Sequence, residues 1–297
     1  MKIVQSFWSK PINSSENKSL SDRRSGGWIN SLYYYMSWAF SCLQFREFYD
    51  QVELVTDSTG YDLLINNMKL PYTDCHVVLD NLHHYHPDLW ALGKIYTYKL
   101  QKTPFIHADS DVFIWDRLPK ELEKSELLAQ NQELNFGFYS DQYKEIKEHF
   151  DYVPEDIVTQ YRKTNTLKAC NAGIIGGNNL DFFQEYTEKA IETVNKNVHL
   201  MEDFDKGTFN MFYEQCLFFS MAENQNKEIE YLLNNSSDNF DGIANLAAAP
   251  FHIKYAHIIG PFKSDKAIGD LLVHMLLEKY PEYYFRIVKL VHEYKIL

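Results

Sequence analysis

Phe105-Ile106-His107-Ala108-Asp109-Ser110-Asp111-Val112-Phe113-Ile114 is the stretch on which the reading of the fold turns. Pro104 ends whatever precedes it, and the apolar run from Phe105 to Ala108 has strand character. The run leads directly into two carboxylates at i and i+2. An extended chain points both to one side, about 6–7 Å apart by strand rise. Two negative groups so placed repel each other unless a cation sits beside them. Hard divalent ions such as Mn²⁺ or Mg²⁺ accept oxygen ligands of this kind and leave positions for substrate phosphates. Asp-Ser-Asp by itself also reads as a solvated turn. Its place at the end of a strand in an α/β chain favours a site, because such sheets bind ligands beyond the carboxyl ends of their strands.

Upstream, residues 2–9 alternate apolar and polar as a first strand, and residues 28–48 form an uncharged helical stretch. Residues 52–56 and 75–79 are short β-branched runs of strand type, with a helical stretch near 61–66 between them. Helical spacing follows over 89–100. Strands alternating with helices predict an α/β fold with a mainly parallel central sheet and helices on both faces. Downstream, residues 169–176 read as a strand, 180–195 and 208–223 as helices, 234–241 as a polar loop, and a last amphipathic helix pair surrounds Pro281. With no repeat or flexible linker, the expected organisation is one domain over residues 1–265 and a helical extension, 266–297, packed on it.

Composition narrows the function. The 297 residues carry 29 Lys and Arg against 41 Asp and Glu, a net charge of −12, which opposes an electrostatic grip on nucleic acid or anionic lipid. Cys42, Cys75, Cys170 and Cys216 are widely spaced, and the Met-Lys-Ile-Val start has no signal-peptide pattern, so a reducing cytoplasm is expected. The uncharged stretch 26–45 contains Asn30, Ser31, Ser37, Ser41 and Gln44, which suit a buried helix better than a transmembrane segment. Trp8, Trp28 and Trp38 read as packing residues, His83-His84-Tyr85-His86 as a solvated loop, and Asp203 and Asp205 as acidic groups at a helix start.

A second segment, Tyr255-Ala-His257-Ile-Ile-Gly260-Pro-Phe-Lys263, supplies what the two carboxylates lack. An imidazole completes a metal shell, a glycine lets backbone approach a diphosphate, and a lysine places a positive charge on a leaving phosphate. His257 alone reads more readily as a structural histidine. Asp-x-Asp after an apolar strand, followed by His-x-x-Gly-x-x-Lys, resembles the glycogenin-like, galactosyltransferase-type retaining glycosyltransferases of the GT-A fold. Asn171-Ala172-Gly173 matches that family's Asn-Ala-Gly strand, and Glu214-Gln215 stands where it usually has Asp-Gln. The likeness runs from Lys2 to about Lys263, and Lys263-Ser264-Asp265 departs from the usual Lys-Pro-Trp.

The resemblance implies a hexosyltransferase-type enzyme that moves a sugar from a nucleoside diphosphate sugar, usually a UDP-sugar. The acceptor would be a glycan, lipid-linked intermediate, peptide or protein. It implies that Asp109, Asp111 and His257 hold the metal, usually Mn²⁺, with Asp109 also near the ribose. Gly260 and Lys263 would contact the diphosphate, Asn171, Glu214 and Gln215 would surround the donor sugar, and the first strand, Gln5 and Phe7 included, would border the base. The family's basic residue before the metal motif falls on Lys94, which also reads as a surface lysine. Two other readings stand beside this one. One is a catalytically silent sugar-nucleotide-binding protein on the same fold. The other is a haloacid-dehalogenase-like phosphatase, for which the later Gly-Asp-x-x-x-Asp loop is missing from the sequence.

Overall fold

The structure is a computed structural model that describes residues 1–13, 25–134, 137–200, 204, 206–233 and 243–293. Nine strands occur among them: β1 Lys2–Phe7, β2 Val52–Thr56, β3 Asp74–Val77, β4 Phe105–Ala108, β5 Val112–Ile114, β6 Leu127–Glu133, β7 Ala169–Gly177, β8 Ile229–Tyr231 and β9 Tyr255–His257. The fold is α/β, with a mainly parallel sheet and helices around it, as the alternating pattern predicts. β1 pairs with β2, β2 with β3 and β6 with β8 in parallel, whereas β6 and β7 are antiparallel. The expected polar loop at 234–241 and the acidic pair Asp203 and Asp205 lie outside the described residues.

The chain forms two compact units. The N-terminal unit contains residues 2–87, 108–117 and 240–297. Its strands run β3-β2-β1, and β5 and β9 make a separate antiparallel pair. The helix Ser31–Phe48 starts where the Asn30 side chain accepts the Tyr33 N–H at 2.9 Å, satisfying one of the donors a helix start leaves open. Residues 33–45 of this helix are all buried, so over that stretch it has no solvent-exposed face, and hydrophobic periodicity is replaced by burial all round. Its core includes Phe7, Trp38, Phe40 and Phe113, together with Leu272 and Leu276 from the helix Lys266–Lys279 and Ile287 and Leu290 from the helix Pro281–His292. Each such side chain taken out of water contributes about 1.5–3 kcal/mol.

The central unit contains residues 88–107 and 118–239. Its strand order is β4-β7-β6-β8. Tyr98 stacks near Phe105 and Tyr186, with ring centroids 6.1 and 6.4 Å away, and Phe183 meets Phe105 edge-on at 4.9 Å. β7 comes so close to β4 that a Cβ on Gly176 would stand 2.1 Å from the Phe105 carbonyl oxygen, so glycine is required there by contact. No helix among the described residues is long and apolar enough to cross a membrane.

Candidate functional site

Asp109 and Asp111 follow β4, and the chain enters β5 immediately after them. β9 lies antiparallel to β5, with Val112 opposite His257 and Ile114 opposite Tyr255. The ladder extends one residue further, where the Ile258 N–H donates to the Asp111 carbonyl at 3.0 Å. That register is what brings His257 to the acidic pair across a large sequence separation. Ligand atoms of Asp109, Asp111 and His257 lie within 4.8 Å of one another, the one such group of three among the described residues. Asp111 Oδ1 is 3.4 Å from His257 Nε2. Adjacent ligands of an octahedral ion with bonds near 2.1 Å are about 3 Å apart, so two carboxylates and one imidazole here fit a hard divalent cation such as Mn²⁺ or Mg²⁺.

Lys263 reaches the same carboxylate. Its Nζ is 2.6 Å from Asp111 Oδ2 and donates to the Gly26 carbonyl at 3.1 Å. It stands on the short turn Gly260–Ser264, whose first residue has φ +53 with open space around it, so glycine serves there for conformation and not for room. Asp111 is buried, which would raise its pKa, but the positive charge of Lys263 and the facing His257 hold it well below the usual carboxylate range.

The loop is fixed from behind by the helix Ser31–Phe48. Ser37 Oγ donates to the Ser110 carbonyl at 2.7 Å, Ser41 Oγ to the Val112 carbonyl at 2.7 Å, and Gln44 Nε2 to the Ile114 carbonyl at 2.8 Å. The donors are spaced i, i+4, i+7 on the helix and the acceptors i, i+2, i+4 on the strand, the periods of one face of each element. Gln5 adds a bond to Ser41 Oγ at 2.9 Å and a longer one to the Asp109 carbonyl at 3.4 Å. Gln5 and Phe7 are both buried, and the Phe7 ring meets Trp38 edge-on at 5.2 Å, so these side chains are committed to the core beneath the loop.

A second polar cluster lies within the central unit. Lys94, on the helix Ala91–Leu100, is buried rather than a surface lysine. Its Nζ is 2.7 Å from Glu214 Oε1 and 3.2 Å from the Ala172 carbonyl, and the Tyr98 hydroxyl donates to the same Glu214 oxygen at 3.1 Å. Beside this pair, Asn171 Nδ2 donates to Glu133 Oε1 at 2.9 Å, and the Gly173 N–H donates to Asn171 Oδ1 at 2.9 Å. The Tyr139 hydroxyl contacts Glu133 Oε2 and lies 2.9 Å from Gln215 Oε1. Burial lowers the His107 pKa well below its ordinary value, and the charge of Lys94 adds to the effect, so its imidazole is neutral.

Thus Asp109, Asp111, His257 and Lys263 converge in one unit, and Lys94, Asn171, Glu214 and Gln215 converge in the other. Sequence reasoning missed Glu133, Tyr139 and Tyr98, residues of common type with no motif around them. The polar stripe Ser37, Ser41, Gln44 was visible in an otherwise uncharged helix, and its spacing was the available signal. His83 is half-exposed and 3.4 Å from Asp57, as a solvated loop residue would be, and Trp8, Trp28 and Trp38 are buried in the core. The four cysteines are free thiols.

A sequence profile described as a family of unknown function, DUF6734, matches residues 1–290. The chain belongs to the DUF6734 family. No similar sequence is found among curated proteins. Among solved structures, this DUF6734 chain is similar to the glycosyltransferase GlyE of Streptococcus pneumoniae TIGR4, with 13% identity over 98% of this chain and 63% of GlyE, at a TM-score of 0.44. It is also similar to the galactosyltransferase LgtC, solved in complex with donor and acceptor sugar analogs, with 13% identity over 92% of this chain and 95% of that one, at 0.44. Mouse xyloside xylosyltransferase 1 is similar at 10% identity, over 86% and 96% of the two chains, at 0.40. The DUF6734 chain spans less than two thirds of GlyE's length. At these identities and TM-scores the likeness by itself assigns no activity.

Proposed function

We propose that this chain is a metal-dependent glycosyltransferase that moves a sugar from a nucleoside diphosphate sugar, a UDP-sugar by the resemblance of its motifs, to a hydroxyl acceptor with retention. The observation that carries the reading is the convergence of Asp109, Asp111 and His257 within 4.8 Å, with the Lys263 ammonium 2.6 Å from Asp111. Breaking the bond from the anomeric carbon to the diphosphate leaves negative charge on the departing phosphate. A divalent cation held by Asp109, Asp111 and His257 supplies Lewis-acid stabilisation of that charge.

Lys263 adds a second positive charge, and it is available once phosphate oxygens replace the Asp111 carboxylate as its partner. Asn171 and Gln215 serve the sugar, with Gln215 the residue assigned to the electron-poor anomeric carbon. The acceptor hydroxyl gives its proton to the departing phosphate, so no side chain is required as general base. The acceptor class, whether glycan, lipid-linked intermediate, peptide or protein, is set by surfaces outside these motifs.

Melting curves with Mn²⁺ and a panel of nucleotide sugars test the reading, since a ligand that binds only the native state raises Tm. The expected result is a Mn²⁺-dependent shift with one donor, release of nucleoside diphosphate from it, and loss of both in Asp111→Ala. Donor binding that is indifferent to Mn²⁺ and to the loss of both carboxylates would sink the proposal. One observation favours the silent sugar-nucleotide-binding alternative: the Glu214 carboxylate is already engaged by Lys94 and Tyr98. Slow donor hydrolysis without acceptor counts against silence, and tight donor binding with no turnover over days counts for it.

A further inference from the structure

Asp111 has two carboxylate oxygens, and the fold gives each a different partner. Oδ1 faces His257 Nε2 at 3.4 Å, and Oδ2 holds the Lys263 ammonium at 2.6 Å. The Asp111 side chain is 6% exposed and that of Lys263 20%, so little water screens the contact.

The ammonium also has a built seat. Its other partner is the Gly26 carbonyl, 3.1 Å from Nζ. Gly26 has φ +57 and Gly27 φ +88, a backbone shape that other residues adopt only under strain. A Cβ on Gly26 would stand 2.4 Å from the Tyr34 ring, and one on Gly27 would stand 3.3 Å from Lys263 Cδ. The turn thus packs on Tyr34 through one glycine and against the lysine stem through the other. The Trp28 N–H closes it by donating to the Ser25 carbonyl at 2.9 Å. Tyr34 lies three residues before Ser37, on the same helix and one turn away, and the Ser37 hydroxyl holds the Ser110 carbonyl. One helix therefore positions both the carboxylate and the carbonyl between which the ammonium sits. The lysine itself rides on a turn whose Gly260, Pro261 and Ser264 are exposed, and its stem is flexible.

A cation that binds through Asp111 has to share that carboxylate with an ammonium already on it. Like charges in a water-poor site repel, and each weakens the other's hold. A diphosphate changes the balance, because its oxygens give the ammonium an anionic partner elsewhere. We propose that Lys263 is a resident counter-ion of Asp111 that weakens binding of a divalent cation until a diphosphate draws the ammonium away, which couples the two ligands. The inference rests on the cation-site reading of Asp109, Asp111 and His257 given above. By linkage, cation and diphosphate then raise each other's affinity by the same factor. A lysine that served only as a phosphate contact would leave binding of the cation alone unaffected.

Mn²⁺ binding to the full chain, followed by the electron paramagnetic resonance signal of the free ion, tests this with UDP as the diphosphate. The expected result without nucleotide is a Mn²⁺ Kd at least about tenfold lower in Lys263→Met than in the wild type. Lys263→Gln, which keeps a donor without the charge, should show the same gain, and Lys263→Arg should stay near the wild-type value. Saturating UDP, corrected for the Mn²⁺ it binds in solution, is expected to tighten Mn²⁺ binding in the wild type by a factor at least about tenfold larger than in Lys263→Met. An unchanged or weaker Mn²⁺ Kd in the neutral variants that keep the wild-type circular dichroism overturns the inference. So does a gain of equal size in Lys263→Arg, or an equal UDP effect in the wild type and Lys263→Met. Mn²⁺ binding that Asp111→Ala does not reduce overturns it together with the cation site. A chain that shows the expected Kd pattern yet cleaves no nucleotide sugar sinks the glycosyl transfer proposed above and leaves the role of the lysine intact.

Discussion

Asp111 is a carboxylate that burial alone would neutralise, and it stays ionised because Lys263 and His257 face it. A carboxyl whose folded pKa is depressed contributes stability above its unfolded value, and that contribution is lost as pH falls through the folded pKa. The unfolded value is 3.8, so the contribution is complete above that pH and declines progressively below it. In metal-free protein, Asp111→Asn is therefore expected to be less stable than the wild type at neutral pH. Urea titrations should show the gap narrowing as the solution is acidified below pH 3.8. Lys94 gives a second test. Lys94→Ala leaves the fully buried Glu214 facing Tyr98 without its ion partner, a change expected to cost about 3–5 kcal/mol. Lys94→Met with Glu214→Leu removes both charges and should recover much of that loss in a double-mutant cycle by urea denaturation. At this scale the acidic pair, His257 and Lys263 were legible because their spacing carries chemistry. Whether Lys94 was buried was not legible, since a lysine among apolar neighbours looks the same in sequence whether it is paired or solvated.

Among the elements, β2 and β4 have the predicted bounds, because β-branched and apolar runs closed by Asp and Pro leave little choice. β6 was not anticipated, and the reason is physical. Its sequence Leu127–Glu133 reads as polar in its second half, yet all but Gln132 are buried, with Gln130 Nε2 bonded to Asn131 Oδ1 at 2.9 Å. Hydropathy patterns fail where buried polar groups satisfy each other, and this is the strand that carries Glu133. The predicted helix over 208–223 occurs as Lys206–Met211 and Leu217–Asn224, joined by a wider turn at Phe212–Cys216 that holds Glu214 and Gln215. Such wide turns inside helices recur at functional sites. The helix Ser31–Phe48 holds the loop of Asp109 and Asp111 through Ser37, Ser41 and Gln44. Ser41→Ala leaves the Val112 carbonyl without that donor and is expected to cost about 1–3 kcal/mol. If the loop is preorganised by these bonds, Mn²⁺ affinity measured by calorimetry should weaken further in Ser37→Ala/Ser41→Ala than in either single variant.

For the molecule as a whole, the α/β class followed from alternation of strand and helix, and the charge of −12 from counting. The division into units did not, because the N-terminal unit is assembled from three separate stretches of chain. The final helices contribute Leu272, Leu276, Ile287 and Leu290 to its core, and Lys279 donates to Gln44 Oε1 at 2.7 Å. Four such side chains are worth about 6–12 kcal/mol together, comparable with the whole stability of a typical domain. A chain ending at residue 265 is accordingly expected to show no cooperative melt by circular dichroism, in contrast to the full sequence. The same discontinuity governs events on the ribosome. Asp109 and Asp111 emerge about 150 residues before His257, a delay on the order of ten to thirty seconds at ordinary elongation rates. During that interval the nascent polypeptide displays an acidic pair with neither its imidazole nor its lysine. The acidic pair thus gains its imidazole and its lysine only after residues 255–263 have followed it out of the ribosome.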